Sequence, residues 1–420
     1  MSSIINQLPI QETLEPSTIE EIQASILNAR EQETAIYPLG GQTSLDYGMP
    51  AKQSGTGLSM AKLNQLVDFP ARDMTVTVQA GMTMDQLKTI LAAENQELPI
   101  DVPCSDQAQI GGVIATGWNG PRRLGMGTIR DYVIGIEAVS GLGKVFHGGG
   151  RVVKNVAGFD FCKLLTGSLG TLGIITQVTL KVRPKSTDQK MIVLADNRPE
   201  KIEEVLESLA SSEVTPSAVE LLQGPQIASM ECLNLLSIND QQSVLAVLLS
   251  GTSTEVDWME STLSAELSQL QAQQVSSLDQ QQSDLLWERL VEFPANQANE
   301  NVSPLVLKAS LRSSQVVSFC ELVRQLDHNA DIVSHALNGI VHIRMSEIPG
   351  IGIANLLSSH LLPAVSSSGG NVCVISNPGN QECTHQLTWG GLGVPYDLMN
   401  DVKQQFDPDN VLNPGRFVYR

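Results

Sequence analysis

The residues of this chain best placed to do chemistry are glycines gathered into three runs. The first, YPLGGQTSLDYG, spans Tyr37 to Gly48 and follows the short strand-like run Ala35-Ile36-Tyr37. The second is a dense cluster between Asp101 and Gly127, and the third runs from Gly167 to Gly173. Glycine admits backbone angles that other residues resist, so such turns can aim several N–H groups at one point, and converging N–H groups bind phosphate. A Rossmann site would need Gly-x-Gly-x-x-Gly between the first strand and its helix, with an acidic residue about twenty positions later. Gly40-Gly41-Gln42-Thr43-Ser44 follows a strand but opens no apolar-periodic helix. Three runs spread over the first 175 residues instead predict an extended dinucleotide cradled by separate loops.

These loops need elements to hold them. Ser17-Thr18-Ile19-Glu20 reads as a Ser-x-x-Glu capping box, with Ile22, Ile26 and Leu27 at helical spacing behind it. Met74 to Val78 alternates as a strand, and Thr83-Met84-Asp85-Gln86 caps a helix running to about Asn95. YVIGIEAVSGLGKV (132–145) reads as two strands around a glycine-rich turn, and Ile174 to Val182 as a further strand. Arg183-Pro184-Lys185-Ser186 ends that strand; glycine density then falls, which places a domain boundary near residue 186. Beyond it, Glu203 to Leu209 has helical period, while Val244–Leu249, Leu305–Ala309, Ile340–Ile343 and Val372–Ile375 read as strands of a sheet covered by helices. The Gln/Ser-rich stretch Ser264–Ser283 is expected at the surface, as helix or loop.

Composition excludes several partners. At 420 residues two domains are expected. A net charge of −19, with no basic cluster, repels nucleic acid phosphates and anionic lipid headgroups. No run of eighteen apolar residues occurs, and MSSIINQLPIQETLEPS lacks the features of a signal peptide, so a cytoplasmic protein without an integral membrane segment is expected. The six cysteines are scattered with no CxxC pair, which argues against zinc or iron–sulfur ligation and for reduced, mostly buried thiols.

Taken together, YPLGGQTSLDYG, then PCSDQAQIGGVIATGWNGPRRLGMGTIRDYVIGIEAVSGLGKV, then GSLGTLGIITQVTLKVRP resemble the FAD-binding domain of the vanillyl-alcohol oxidase superfamily, the PCMH type. Gly149 to Asp160 (GGRVVKNVAGFD) is similar to a signature of the FAD-binding E-type subunits of bacterial glycolate oxidases, and Phe406 to Arg416 resembles the closing segment of FAD-linked oxidases. The resemblance implies an α+β fold. A two-subdomain FAD domain (1–186) would be followed by an α/β cap or substrate domain (187–400) and a segment (401–420) returning to the flavin. It assigns Pro38, Gly40, Gly41, Gln42, Thr43 and Ser44 to the pyrophosphate. Pro103, Ile110, Gly111, Gly112, Ala115, Thr116, Gly120, Gly125 and Arg130 fall along the ribityl chain, phosphates and ring, and Gly170, Gly173, Ile174 and Ile175 on the adenine side, with Asn413 from the closing segment. Some members attach flavin through His or Cys. The first loop has neither, and Cys104 is expected to be a small core residue, so FAD is expected to be non-covalent.

In the second half the resemblance points to Lys308 as a carboxylate-binding cation. It also compares Ser334 to His342 with the His-x-x-Gly-Asp-Gly-Asn-x-His segment of FAD-linked 2-hydroxy-acid dehydrogenases, whose histidines bind a divalent metal. His335 and His342 keep that spacing, but the Gly-Asp-Gly is reduced to Leu337-Asn338-Gly339, and no Glu-His-Gly follows within Ser366–Asn377. No metal is therefore expected, and Lys308, His335 and His342 are read as the catalytic candidates. The implied activity is oxidation of glycolate to glyoxylate with hydride passing to flavin. A small 2-hydroxy acid would be the substrate, and a sister flavin subunit and an iron–sulfur subunit the partners, one of which would hold this chain at the periphery of the inner membrane. The alternatives are a free-standing oxidase or dehydrogenase of another hydroxylated substrate and a non-catalytic FAD-binding electron-transfer subunit.

Overall fold

The computed structural model describes residues 8–150, 158–272, 274–295, 304–367, 369–377, 383–391 and 395–417. The chain divides into two compact units.

The first unit takes in the described parts of Ser2–Asn119, Thr128–Lys185 and Leu392–Arg420. Its opening helix, Ile19–Glu31, starts at Thr18, whose hydroxyl accepts the Glu21 N–H at 3.2 Å. The capping residues thus lie one place further on than Ser17 and Glu20, in the register that turns Ile22, Ile26 and Ala29 into the core. That helix covers a parallel sheet of Ile10–Leu14, Gly55–Ser59 and Ala35–Leu39, in that order, through Ile36 and Leu58. A second, antiparallel sheet runs Leu66–Asp68, Thr75–Gln79, Ile174–Lys181, Val133–Val139, Val145–Gly149. It packs through Val76, Val78, Ile136 and Val178 on the helices Met84–Ala92 and Ile110–Thr116. Thr83 and Gln86 close the expected capping box of the first of these helices.

The closing segment completes this unit. Ile36 N–H donates to the Val411 carbonyl (2.7 Å), and Asn413 N–H to that of Ile36 (2.9 Å), so residues 411–413 lie along the strand that feeds the first glycine loop. Upstream, Lys403 is 4% exposed; its ammonium donates to Asp407 (2.5 Å) and to the carbonyls of Thr171 (2.9 Å) and Leu412 (3.0 Å). Asp407 also accepts the N–H groups of Val411 and Leu412.

The second unit takes in the described parts of Gly120–Gly127 and Ser186–Gly391. The division differs from a contiguous 1–186 domain because the Gly125 N–H donates to the Ser217 carbonyl (3.2 Å), at a contact so close that a Cβ would sit 3.0 Å from Ser217 Cα. The core of this unit is an eight-stranded antiparallel sheet in the order Ser276–Ser277, Asp188–Asp196, Ser243–Gly251, Ala218–Gln223, Asp331–His335, Ile340–Met345, Leu305–Ser310, Asn371–Ser376. Alternate residues point to opposite faces. One face, with Leu305, Leu307, Ile332, Val341 and Ile343, is covered by the helices Pro199–Ser211, Ser253–Gln269 and Val316–Leu326. On the other, Met191, Val193, Val244 and Leu222 pack with the helix Gln280–Glu292, while the strands beyond carry Lys308, His342, His335 and Arg344. The Gln/Ser-rich stretch spans the end of one helix, a short strand and the start of another.

The thiols are less buried than expected: Cys162, Cys232 and Cys320 are buried, but Cys104, Cys373 and Cys383 are partly exposed, and all six are free. Cys104 sits at φ +52° in a turn, not in a core. Among the described residues no helix is long and apolar enough to cross a membrane. Removing one partner of a buried ion pair strands the other charge. Lys403→Met is therefore expected to lower the unfolding free energy by about 3–5 kcal/mol, read as a fall in the urea midpoint; an unchanged midpoint would show that the Lys403–Asp407 pair does not hold the closing segment.

Candidate functional site

The first unit contains an open cleft walled by all three glycine segments. Its wall includes Pro38, Gly40, Gly41, Gln42, Thr43, Ser44, Pro103, Gly111, Gly112, Ala115, Thr116, Gly170, Gly173, Ile174, Ile175 and Asn413. Four residues assigned to the flavin lie elsewhere. Ile110 is fully buried behind the wall, Arg130 is exposed away from it, and Gly120 and Gly125 belong to the second unit, where the absent Cβ of Gly125 serves packing. Within the E-type signature, Arg151–Ala157 lie outside the described residues, while Asp160 caps the helix Phe161–Leu165.

The donors of the cleft suit a dinucleotide. Among the described residues the turn Gly40–Leu45 gives none of its backbone N–H groups to an acceptor, although such groups are almost always paired. Gly41 lies so close to Gln107 that a Cβ would fall 1.8 Å from its carbonyl oxygen, which fixes the turn against the second glycine segment. Gln109 adds a buried, unpartnered side-chain oxygen. Three non-glycine residues of the wall adopt left-handed backbone angles: Gln42 (φ +58°), Leu169 (+51°) and Asn413 (+44°). Such strain persists where surrounding bonds over-determine it. Leu169 indeed donates to the Ala115 carbonyl at 2.8 Å and accepts from the Asn413 amide at 2.6 Å.

Arg416 sets the far side of the first loop. It is 5% exposed, and its guanidinium donates to the carbonyls of Leu45 (2.5 Å), Tyr47 (2.9 Å) and Met49 (3.0 Å). Burial lowers its pKa to about 10. Neither Arg416 nor the left-handed Leu169 was singled out from sequence, although Arg416 closes the quoted C-terminal motif. The described lining contains no Cys or His.

The second unit gathers the other candidates on one sheet face. Lys308 stands directly across from His342 on one neighbouring strand and from Cys373 on the other. His342 is 2% exposed, and its ring centroid lies 5.4 Å from that of His335, at an interplanar angle of 67°. His335 Nδ1 lies 2.9 and 3.0 Å from the two carboxylate oxygens of Glu220, itself 1% exposed. Lys308 has no hydrogen-bond or ion-pair partner among the described residues; burial, then Arg123, lower its pKa. Burial, followed by His335, Lys308 and Arg123, holds His342 well below the usual imidazole range, so the ring is neutral. Burial also pushes the Cys373 thiol up.

The metal that the His-x₆-His spacing brings to mind does not fit. Among the described residues no three His, Cys, Asp or Glu side chains are gathered for one, and the strand Asn371–Ser376 presents Cys373, not a carboxylate, beside Lys308. Glu220, Arg123 and Cys373 were missed from sequence. The signal for Glu220 is a lone carboxylate inside the apolar run Ala218–Leu222; such a charge is buried only when paired.

Gly112 lies on the cleft wall, and a Cβ there would meet no protein atom within 4 Å. Gly112→Val is therefore expected to fold with the parent melting temperature but to bind FAD at least about tenfold more weakly, ~1.4 kcal/mol, in a flavin fluorescence titration. Parent affinity would show that this wall does not meet the cofactor.

Two domain families match this chain: the FAD binding domain over residues 10–149, and the C-terminal domain of FAD linked oxidases over 186–348 and 391–417. Over 96% of its length the chain is 28% identical to a D-2-hydroxyglutarate dehydrogenase of Xanthomonas citri pv. viticola, covering 88% of that protein. It is 25% identical to glycolate oxidase subunit GlcD of Bacillus subtilis, over 96% of this chain and 87% of that one. Glycolate oxidase subunit GlcE of Escherichia coli is 32% identical, over 36% of this chain and 43% of its own. In fold the chain is similar to an alkyldihydroxyacetonephosphate synthase, with a TM-score of 0.72 at 17% identity, covering 96% of this chain and 75% of that structure. Carrying an FAD binding domain and the C-terminal domain of FAD linked oxidases on one α+β chain, the protein is an FAD-dependent oxidoreductase.

Proposed function

We propose that the protein oxidises the CH–OH group of a small 2-hydroxy acid, glycolate being the preferred candidate, to the corresponding 2-oxo acid. The observation that carries this reading is Lys308, a partly buried cation without a carboxylate partner among the described residues, paired across the sheet with a neutral imidazole. Bound FAD supplies the hydride acceptor. Lys308, with the positive charge of Arg123 nearby, draws the substrate carboxylate and fixes its orientation. His342 is neutral and can accept the hydroxyl proton as the C–H bond gives up its electron pair. The relatives named for D-2-hydroxyglutarate and glycolate support the substrate class.

The chain has no CxxC ligand pair, so electrons leaving the flavin are proposed to pass to an iron–sulfur subunit, with a sister flavin subunit in the same complex and contact with the inner membrane through a partner. A cytoplasmic setting belongs to the same proposal. A free-standing dehydrogenase is the second reading, favoured by the match over 96% of the chain to the Xanthomonas enzyme. Copurification with an iron–sulfur protein separates the two.

Anaerobic bleaching of the flavin absorbance over a panel of glycolate, D-lactate and D-2-hydroxyglutarate tests the activity; an unbleached spectrum with all three would refute it. Lys308→Met is expected to raise KM about 10–100-fold with FAD content unchanged. Because the Lys308 pKa is lowered, its charge is lost sooner as pH rises, so KM should climb in mildly alkaline buffer below the ordinary lysine range. A KM flat up to that range would count against Lys308 as the carboxylate anchor.

A further inference from the structure

Across four adjacent strands the second unit lays out Lys308, His342, His335 and Glu220 in sequence. Lys308 and His342 face each other in register, the two imidazoles meet edge to face, and both oxygens of Glu220 lie against His335 Nδ1. An ionised carboxylate can only accept, so Nδ1 carries the proton and Nε2 is left as the other ring nitrogen. His335 Nε2 is buried and has no hydrogen-bond partner among the described residues. A buried nitrogen left unsatisfied in a ring whose other nitrogen is held by a buried carboxylate marks a group kept for proton transfer.

The surrounding charges say where such a proton can rest. Lys308 and Arg123 are positive and oppose a further positive charge on His342. Glu220, at the other end, places its carboxylate against His335 Nδ1. The groups that bear on this pair are therefore Lys308, Arg123 and Glu220, with Cys373 beyond Lys308.

We infer that Glu220 is a positioning residue of this site, and that Glu220, His335 and His342 form a relay taking the substrate hydroxyl proton away from the cationic end. The inference rests on the hydroxy-acid reading above. In the step, the hydroxyl O–H breaks and its proton passes through the ring of His342 to His335 Nε2. The C–H electron pair leaves with its hydrogen as hydride to FAD, and the carbonyl forms. The charge acquired by His335 is balanced by Glu220, and no further oxidant is needed.

Glu220→Gln keeps the volume and removes the charge. In the FAD-loaded protein, flavin reduction by the best hydroxy acid is expected to slow about 10²-fold at the plateau, with KM and FAD content unchanged. The acidic limb of the rate profile should move to lower pH, because loss of the carboxylate favours the neutral imidazole. Glu220→Asp keeps the charge and should hold the limb in place with a smaller loss, which also decides the case if the Gln variant does not fold. Parent rates and profile in Glu220→Gln, or a limb displaced equally in both variants, would overturn the relay. Failure of the substrate reading shows separately: no hydroxy acid then reduces the parent flavin, and the relay falls with it.

Discussion

A buried cation must be surrounded by acceptors, and in the first unit that requirement joins segments far apart in sequence. Lys403 needs the carbonyl of Thr171 as well as Asp407, and Arg416 needs three carbonyls of the loop Leu45–Met49. Neither cation can be accommodated until those acceptors are in place, because an unpaired charge is costly to bury. The first glycine loop therefore depends for its shape on a guanidinium contributed hundreds of residues later. The N–H groups of Gly40–Leu45 face a different demand, since they have no acceptor among the described residues and suit an anion.

The sequence made the cofactor half of the molecule largely legible. Glycines report backbone geometry directly, and Gly41, Gly112 and Gly170 line one cleft. The residues that lie off the cleft wall have a common cause. Gly125 is a glycine because another backbone segment lies against it, and Ile110 is apolar because it is core; neither residue type distinguishes a wall from what supports it. Leu169 and Arg416 were missed because a left-handed leucine and a carbonyl-bound arginine carry no local signature.

The second half was legible only in part. Strands with continuous apolar runs were found, whereas Asp188–Asp196, Ala218–Gln223 and Asp331–His335, which carry charged residues on one face, were not. The expected helices cover only one side of much of the sheet, so its other face can bear Lys308, His342 and His335. Pairing of Glu220 with His335 spans 115 residues and three intervening strands, and nothing in local spacing encodes it.

The discontinuity of the first unit has a consequence for biogenesis. A ribosome delivers the residues that frame the cleft early, then nearly all of the second unit, and only after it the segment carrying Lys403, Asn413 and Arg416. Domains ordinarily fold as they emerge, yet here the early part must wait with an open edge beside Ile36, which Val411 and Asn413 later occupy. The first glycine loop thereby takes its final shape late in synthesis: a chain interrupted before Arg416 has the glycines of that loop without the guanidinium that three of its carbonyls surround.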